Sequence, residues 1–272
     1  MRLIFLDVMK RLRSLVVLLA LALPLAQAAA QAAAQASGQP SDARAVPAPS
    51  QCVAPPAIIA SDEHLPEVSK QLRAGGSLDV LAIGSATMLG PRGSVEDSFP
   101  YRIVSALREA VPGASVQLTV HSGRGLTASD MLATLRAELA SHRYQLVLWQ
   151  TGTVEAVRRL PPAEFLKTLA EGVALVHDSG GEMVLIGPPY SRFLKANADL
   201  DPYLKTLQQV AELPGVIQFH RFTLMQNWVD TGQLDLERAV KSDREKTSDL
   251  LHACLGRALA QLVLSGTVLT AP

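Results

Sequence analysis

The sequence predicts an α/β fold in which a parallel sheet of five strands is covered by helices on both faces. Short, continuously apolar segments alternate along the chain with segments whose apolar residues recur at helical spacing. The apolar segments lack polar alternation, which is typical of strands buried on both sides. The chain has 272 residues, of which 48% are hydrophobic, so it is long enough for one such domain.

The elements follow one another in a regular order. The predicted strands lie at 78–84, 115–120, 144–150, 182–187 and 215–220. The predicted helices lie at 94–111, 127–140, 162–180, 200–214 and 247–266. Ser94, with Asp97 three residues later, predicts the N-terminal cap of the first of these helices. The remaining segment, 222–239, is predicted either to cover a site as a lid or to connect elements along the sheet edge.

The N-terminal residues have the order of a secretory signal. The basic residues Lys10, Arg11 and Arg13 precede an apolar stretch from Leu15 to Leu25, and small residues follow. The sequence therefore predicts a signal peptide over residues 1–28 and a secreted or periplasmic location. The alternative is an uncleaved membrane anchor, but the apolar stretch is short for a bilayer span, so no stable span is expected after cleavage.

The next segment, residues 29–51, consists mostly of Ala, Gln, Pro and Ser. This composition cannot bury a core, which predicts a disordered linker and a single folded domain at 52–272. The two cysteines, Cys52 and Cys254, both fall in that domain. Because an exported chain meets an oxidising compartment, the sequence predicts that they form a disulfide.

The charge balance excludes one class of partner. The chain has 25 Lys and Arg against 25 Asp and Glu, so no basic surface for nucleic acid is expected. Aromatic residues make up 4% of the chain, which also disfavours a platform for stacked bases. A small-molecule or glycan ligand fits this composition better, whereas the oligomeric state is left open.

Special residues follow several predicted strands directly. Ser85 ends the first strand, Gly125 follows the second, Gly152 the third and Tyr190 the fourth. The carboxyl ends of parallel strands share one edge of the sheet, and ligands bind in α/β proteins at that edge. The sequence therefore predicts a site there, with Ser85 facing it.

A serine nucleophile needs a base, and the base needs a third group that orients it. Of the six histidines, His252 is the one with an aspartate three residues earlier, Asp249, on a predicted turn that enters the last helix. This spacing predicts a Ser85–His252–Asp249 triad. The alternatives are that Ser85 is a strand-end turn residue and that His252 and Asp249 cap a helix.

Four short segments resemble, in order, the sequence blocks of the SGNH/GDSL hydrolase superfamily. They are "IGSATMLG", "GRGLTA", "TGTVEAV" and the Asp249-x-x-His252 pair, within residues 78–264. The resemblance implies a flavodoxin-like, three-layer α/β/α fold and ester hydrolysis without a metal or organic cofactor. It also implies that Ser85 attacks the acyl carbon, that His252 acts as base and then as acid, and that Asp249 orients His252.

The resemblance further implies an oxyanion hole made of the backbone N–H groups of Ser85 and Gly125 and the side chain of an asparagine. Val154 occupies the asparagine position and has no donor. Loss of one such donor costs about 10²–10³ in rate. Gln150 and Thr153 are candidate substitute donors and, with Tyr190, candidate pocket residues.

These observations favour an exported serine esterase that hydrolyses small acyl esters, including O-acetyl groups on glycans. Two alternatives remain open. The first is a catalytically impaired binding or assembly protein of the cell envelope that keeps the SGNH fold. The second is an acyltransferase that uses the same Ser85 acyl-enzyme and excludes water.

Overall fold

A computed structural model describes residues 52–269. The predicted signal peptide and linker lie outside the described residues. The described strands are β1 (Ser77–Ser85), β2 (Ser115–Gly123), β3 (Leu146–Gln150), β4 (Glu182–Ile186) and β5 (Val216–Phe219). They form one five-stranded sheet in the order β2-β1-β3-β4-β5, and every neighbouring pair is parallel. The predicted fold class is confirmed.

Helices flank the strands in sequence. They are α1 (Pro56–Ile59), α2 (Pro66–Arg73), α3 (Phe99–Ala110), α4 (Ala128–Leu139), α5 (Thr153–Arg158), α6 (Pro162–Asp178), α7 (Arg192–Asn197), α8 (Asp201–Val210), α9 (Arg221–Asp230) and α10 (Arg244–Ser265). Within residues 52–269, no helix is both long enough and apolar enough to span a bilayer.

The sheet is buried on both faces because alternate residues of each inner strand enter different cores. In β3, Leu146 and Leu148 pack in one core while Val147 and Trp149 pack in the other. The first core is covered by α2, α3, α9 and α10, and the second by α4, α6 and α8. This arrangement explains why the strand segments are continuously apolar.

Two predicted helix starts are wrong. Helix α3 begins at Phe99, and its N-cap is Ser98, whose side chain accepts a hydrogen bond from the backbone N–H of Tyr101. Pro100 is compatible with this start, because a backbone N–H in the first turn has no acceptor within the helix. The N–H that proline lacks therefore costs the helix no hydrogen bond. Helix α10 begins at Arg244, so His252 lies within the helix and not on a turn that enters it.

The segment 222–239 contributes a helix to the core as well as a wall to a cavity. Leu224 and Trp228 of α9 are buried in the first core, and the Trp228 indole N–H donates a hydrogen bond to the carbonyl oxygen of Val53 at 2.9 Å. Leu234 and Leu236, which follow the helix, line a cavity beside β1. The segment is therefore more than the connector along the sheet edge that one alternative predicts, and its role as a lid stays a prediction.

The strand order fixes where a ligand can enter. The chain places β2 on one side of β1 and β3 on the other, so the connections leave the carboxyl ends of β1 and β3 in opposite directions. A crevice forms at such a switch point. Ser85 is the last residue of β1 and Gln150 is the last residue of β3.

A disulfide joins Cys52 to Cys254, with 5.9 Å between their Cα atoms. It ties the start of the described chain to the middle of α10, two residues after His252. The sulfur atoms also lie near the guanidinium group of Arg257.

We expect reduction of this disulfide to lower the free energy of unfolding. The bond closes a loop between residues 202 positions apart. Chain entropy alone gives at most about 5 kcal/mol for a loop of this size. Urea unfolding with and without reductant measures the loss, and Cys52→Ala, which leaves α10 unchanged, should reproduce it. Two free thiols per chain in unfolded, unreduced protein would contradict the expectation.

Candidate active site

The glycine before Ser85 is required by close packing at the switch point. A Cβ atom on Gly84 would lie 2.5 Å from Cγ of Met88 and 2.9 Å from Cβ of Gln150. Both distances are shorter than those that Cβ atoms keep from other heavy atoms in proteins. The Gly84-Ser85 pair in the sequence therefore reflects the approach of β3 and of the turn after β1 to the backbone just before the serine.

The hydroxyl of Ser85 is held by two neighbours. Gln150 Nε2 donates to Ser85 Oγ at 2.9 Å and to Thr87 Oγ1 at 2.8 Å. The two hydroxyl groups also share a hydrogen bond of 3.1 Å. In addition, Ser85 Oγ caps a short 3-10 turn by accepting from the backbone N–H of Thr87. Gln150 is fully buried, and its Oε1 atom has no hydrogen-bond partner among the described residues.

His252 is buried in α10, with 8% of its surface exposed. Its Nδ1 atom accepts a hydrogen bond of 3.1 Å from the backbone N–H of Phe99, and its ring stacks on the Phe99 ring with 5.9 Å between centroids. Because Nδ1 is an acceptor here, the neutral ring carries its proton on Nε2. Within residues 52–269, the ring forms no hydrogen bond with Ser85 or with Asp249.

Asp249 has a different partner from the one that the spacing predicts. It lies one turn before His252 on α10 and is 43% exposed at its side chain. Its Oδ1 atom lies 3.2 Å from Nη2 of Arg102, which also lies 3.1 Å from Oδ1 of Asp97. The structure thus brings Asp249 to α3 through an ion pair and leaves the predicted hydrogen-bonded relay unformed.

The other predicted residues of the oxyanion hole lie on the same edge of the sheet. Gly125 follows β2 and has a φ of 69°, a conformation that favours glycine. Val154 is half-buried in the first turn of α5. The hydroxyl of Thr153 is buried without a hydrogen-bond partner among the described residues.

A buried carboxylate connects two of these loops. Glu155 accepts a hydrogen bond of 3.0 Å from the backbone N–H of Gly152 and another from the backbone N–H of Ala128 at the start of α4. Its side chain is 2% exposed. Glu155 therefore holds the loop after β2, which carries Gly125, against Gly152, the residue that precedes α5 and Val154.

A cavity of about 460 Å³ opens beside the end of β1. Thr87, His252, Tyr190 and Arg221 all line it. Most of the remaining wall is apolar. It is formed by Ala86, Leu89, Met225, Trp228, Val229, Leu234, Leu236 and Leu251. Tyr190 is held edge-on to Phe222, with 5.3 Å between ring centroids.

Several residues of this site carry no signal in the sequence. Phe99, Arg102 and Arg221 become neighbours of His252, Asp249 and the cavity only through tertiary packing. Thr87 contacts Ser85 locally, two residues further along the chain. Glu155 could have been found, because it directly follows Val154 in the segment "TGTVEAV" that resembles a family block. In the part of the chain that the structure describes, no cluster of three His, Cys, Asp or Glu side chains is suited to hold a metal ion.

Burial lowers the pKa of His252 to about 4, and the nearby charges of Arg221 and Arg102 act in the same direction while Asp97 opposes them. The ring is therefore neutral at physiological pH. Protonation must be easier in the unfolded chain, where a histidine has a pKa of about 6.5. This difference stabilises the folded protein above pH 6.5, and the stabilisation is lost as the pH falls towards 4.

We expect the wild-type protein to lose about 1.5 kcal/mol of unfolding free energy through His252 between pH 6.5 and pH 5. Urea unfolding at both pH values measures the loss. His252→Gln should remove this part of the pH dependence, whereas His142→Gln, which replaces an exposed histidine, should keep it. Equal slopes in the wild type and in His252→Gln would contradict the expected pKa of the ring.

The strand order and the serine at the end of β1 are those that the resemblance to the SGNH/GDSL superfamily implies, and the comparisons with known proteins agree. The chain belongs to the non-GDSL lipase-like family, whose model matches residues 51–268. The predicted relationship to the SGNH/GDSL superfamily is confirmed. The chain is also similar to an arylesterase of Vibrio mimicus, with 29% identity over 158 residues, which make up 56% of this chain and 78% of the relative.

Solved structures share the fold at low sequence identity. A catalytic mutant of an acetylxylan esterase from Geobacillus stearothermophilus has a TM-score of 0.57 and 18% identity, over 68% of this chain and 94% of that one. A two-domain esterase active on acetylated mannans has a TM-score of 0.55 and 14% identity, over 74% of this chain and 53% of that one. Identity at this level shows the fold alone.

Proposed function

We propose that this chain is an exported serine esterase in which Ser85 is the nucleophile and His252 the general base. The observation that carries the proposal is the position of Ser85. It ends β1 at the switch point, with a side-chain N–H donor 2.9 Å from its hydroxyl oxygen, and the two residues that follow it, Ala86 and Thr87, line a mostly apolar cavity. Family membership and the similarity to an arylesterase support ester hydrolysis.

The proposed reaction proceeds by acyl transfer to Ser85. The serine oxygen attacks the ester carbonyl, His252 takes its proton and then passes that proton to the leaving alcohol, and water hydrolyses the acyl-enzyme. His252 can act in this way only after its ring leaves the N–H of Phe99 and turns a free nitrogen to the serine. Asp249 orients the ring in this active arrangement once it is released from Arg102.

Gln150 is the proposed substitute for the missing asparagine of the oxyanion hole. Its side-chain N–H already reaches the serine oxygen, and the backbone N–H groups of Ser85 and Gly125 complete the proposed set of donors. Thr153 is a weaker candidate, because none of its contacts joins it to Ser85. The substrate class that we propose is small acyl esters, including acetyl esters on glycans, on which two of the fold neighbours act.

A second candidate is a binding protein that keeps the fold without hydrolysis. The hydrogen bond from Phe99 to His252 Nδ1 and the ion pair between Arg102 and Asp249 favour it, since both occupy groups that a triad needs. Hydrolysis of a chromogenic acetyl ester separates the two functions. Turnover that disappears in Ser85→Ala supports the esterase, and no turnover by the wild-type protein supports the binding protein.

Export is proposed from the N-terminal sequence and from the disulfide. The basic, apolar and small-residue order of residues 1–28 is that of a signal peptide, and a disulfide persists in an oxidising compartment. Mass spectrometry of the protein recovered from the periplasm or the culture medium would identify the mature N-terminus.

We expect Val154→Asn to raise kcat for an acetyl ester about ten- to a hundredfold, less than a full donor gives, because Gln150 already supplies one. Steady-state kinetics measure the gain. Val157→Asn, which places the same side chain at an exposed position of α5, is the matched control and should change nothing. An unchanged kcat in a folded Val154→Asn protein would show that position 154 does not face the oxyanion.

A further inference from the structure

Arg221, the first residue of α9, is a buried cation without a counter-ion among the residues that the structure describes. Its surface is 3% exposed, and its Nε and Nη1 atoms are buried without a hydrogen-bond partner among residues 52–269. Its guanidinium group lies over the face of the Phe99 ring, with 5.2 Å between the Cζ atom of Arg221 and the ring centroid. Burial of a charge without a partner is costly, so the site is incomplete as it stands.

The acidic residues nearby already have other partners. Asp97 and Asp249 pair with Arg102, while Asp235 and Glu237 pair with Arg192. No carboxylate of the described residues forms an ion pair with Arg221. Burial lowers the pKa of Arg221 to about 10, so its guanidinium group still carries its charge at neutral pH.

The contacts of the guanidinium group direct it towards the cavity beside Ser85. It lies over Phe99, the Phe99 ring stacks on His252, and His252 lines that cavity together with Arg221. A second cavity, of about 350 Å³, also touches Arg221, but His252 does not line it, and Phe99 lines neither cavity. Of the two cavities that Arg221 lines, the one that it shares with His252 is the one that the proposed reaction uses.

Arg221 is the one cationic side chain among the described residues that line this cavity, and the wall is mostly apolar apart from Asp235 and Glu237, both of which are paired with Arg192. Leu89, Met225, Trp228 and Leu251 are among its lining residues. A wall of this kind suits a ligand with an apolar body and one anionic end. A carboxylate fits the planar guanidinium group best, because the two groups can form two parallel hydrogen bonds.

We propose that Arg221 is the anion-binding residue of this cavity and that its ligand is a carboxylate on an apolar chain. The binding site rests on the cavity itself. The identity of the natural ligand rests on the proposed esterase function and has two sources. It is either the free acid released by hydrolysis or the second carboxylate of a half-ester of a dicarboxylic acid.

Calorimetric titration of the full chain with octanoate and with 1-octanol tests the binding site without any need for catalysis. We expect octanoate to bind the wild-type protein at least about tenfold more tightly than 1-octanol, as a charge-assisted pair requires. Arg221→Gln should abolish this preference and Arg221→Lys should keep part of it. Arg73→Gln, at an exposed arginine of α2, is the matched control and should keep all of it.

Equal binding of octanoate and 1-octanol by the wild-type protein would overturn the proposal, and so would a preference that survives in folded Arg221→Gln. If Arg221→Gln does not fold, the comparison of the two ligands on the wild-type protein still decides. A protein that prefers octanoate but hydrolyses no ester keeps the carboxylate site and refutes the esterase.

Kinetics distinguish the two sources of the carboxylate. If the ligand is the released acid, octanoate inhibits the hydrolysis of methyl octanoate competitively in the wild type and at least about tenfold more weakly in Arg221→Gln. If the ligand is part of the substrate, kcat/KM for monomethyl suberate exceeds that for methyl octanoate, and Arg221→Gln reverses the order. Either result supports the site. A wild type that shows neither effect would overturn it.

Discussion

Ser85→Ala is expected to lower kcat/KM for a chromogenic acetyl ester by at least about a thousandfold. The acyl-enzyme cannot form without the hydroxyl group, and what remains is the stabilisation that the surrounding donors and the cavity give to direct attack by water. The substitution removes one oxygen atom from the carboxyl end of β1. The backbone donors and the wall of the cavity stay in place, so binding of the ester should change little.

Ser122→Ala is the matched control. Ser122 lies on the neighbouring strand β2, where it pairs in register with Gly84 of β1, and its hydroxyl makes no hydrogen bond among the described residues. This variant should retain full activity, and circular dichroism should show both variants folded. A folded Ser85→Ala protein with the turnover of the wild type would exclude Ser85 as the nucleophile and return the chain to the binding function.

The fold could be predicted because its signals are local. Five continuously apolar segments and the helical spacing between them are readable in short windows, and both faces of the sheet are buried as that pattern requires. The boundaries were less accurate. The first predicted cap, Ser94, does accept a hydrogen bond from the backbone N–H of Asp97, but it stabilises a turn before the helix. Ser98 and Pro100 then start α3.

The sequence could predict those residues of the candidate site whose type and position directly after a strand indicate the site by themselves. Ser85 and Gly125 lie at the expected edge, since strand order alone places them there. The environment of His252 could not be read in the same way. Its partners come from α3, which is about 150 residues away in the chain, as the 153-residue separation from Phe99 shows. The same helix supplies Arg102, which forms an ion pair with Asp249. The sequence spacing had assigned that aspartate to the triad.

Arg221 had no local signal at all. It follows His220 at the end of β5, where an arginine would ordinarily be expected to reach solvent. It is buried because α9 turns back onto the sheet, with Leu224 and Trp228 in the core, and draws its first residue inward. A single sequence does not reveal such packing, because an arginine at the start of a helix is compatible with either face.

Gln150→Leu is expected to lower kcat by about 10²–10³, with a much smaller change in KM. In the free protein, the Gln150 side-chain N–H groups donate to two neutral hydroxyl oxygens, those of Ser85 and Thr87. During acyl transfer, negative charge develops on the ester oxygen beside Ser85. A hydrogen bond to a charged acceptor is about twice as strong as one to a neutral acceptor, so the donor favours the transition state.

The sign of the effect decides between two roles of Gln150. If its main effect were to hold Ser85 in an unreactive position, Gln150→Leu would raise kcat, because the hydroxyl would be released. We expect the opposite, because Val154 supplies no donor and the loss of Gln150 removes the last side-chain N–H that reaches the serine. Gln117→Leu, at an exposed position of β2, is the matched control for a glutamine lost from the same sheet.

A further test is the double variant Gln150→Leu with Val154→Asn. Recovery of most of the lost kcat in that protein would show that the two positions serve one oxyanion, and no recovery would contradict that shared role.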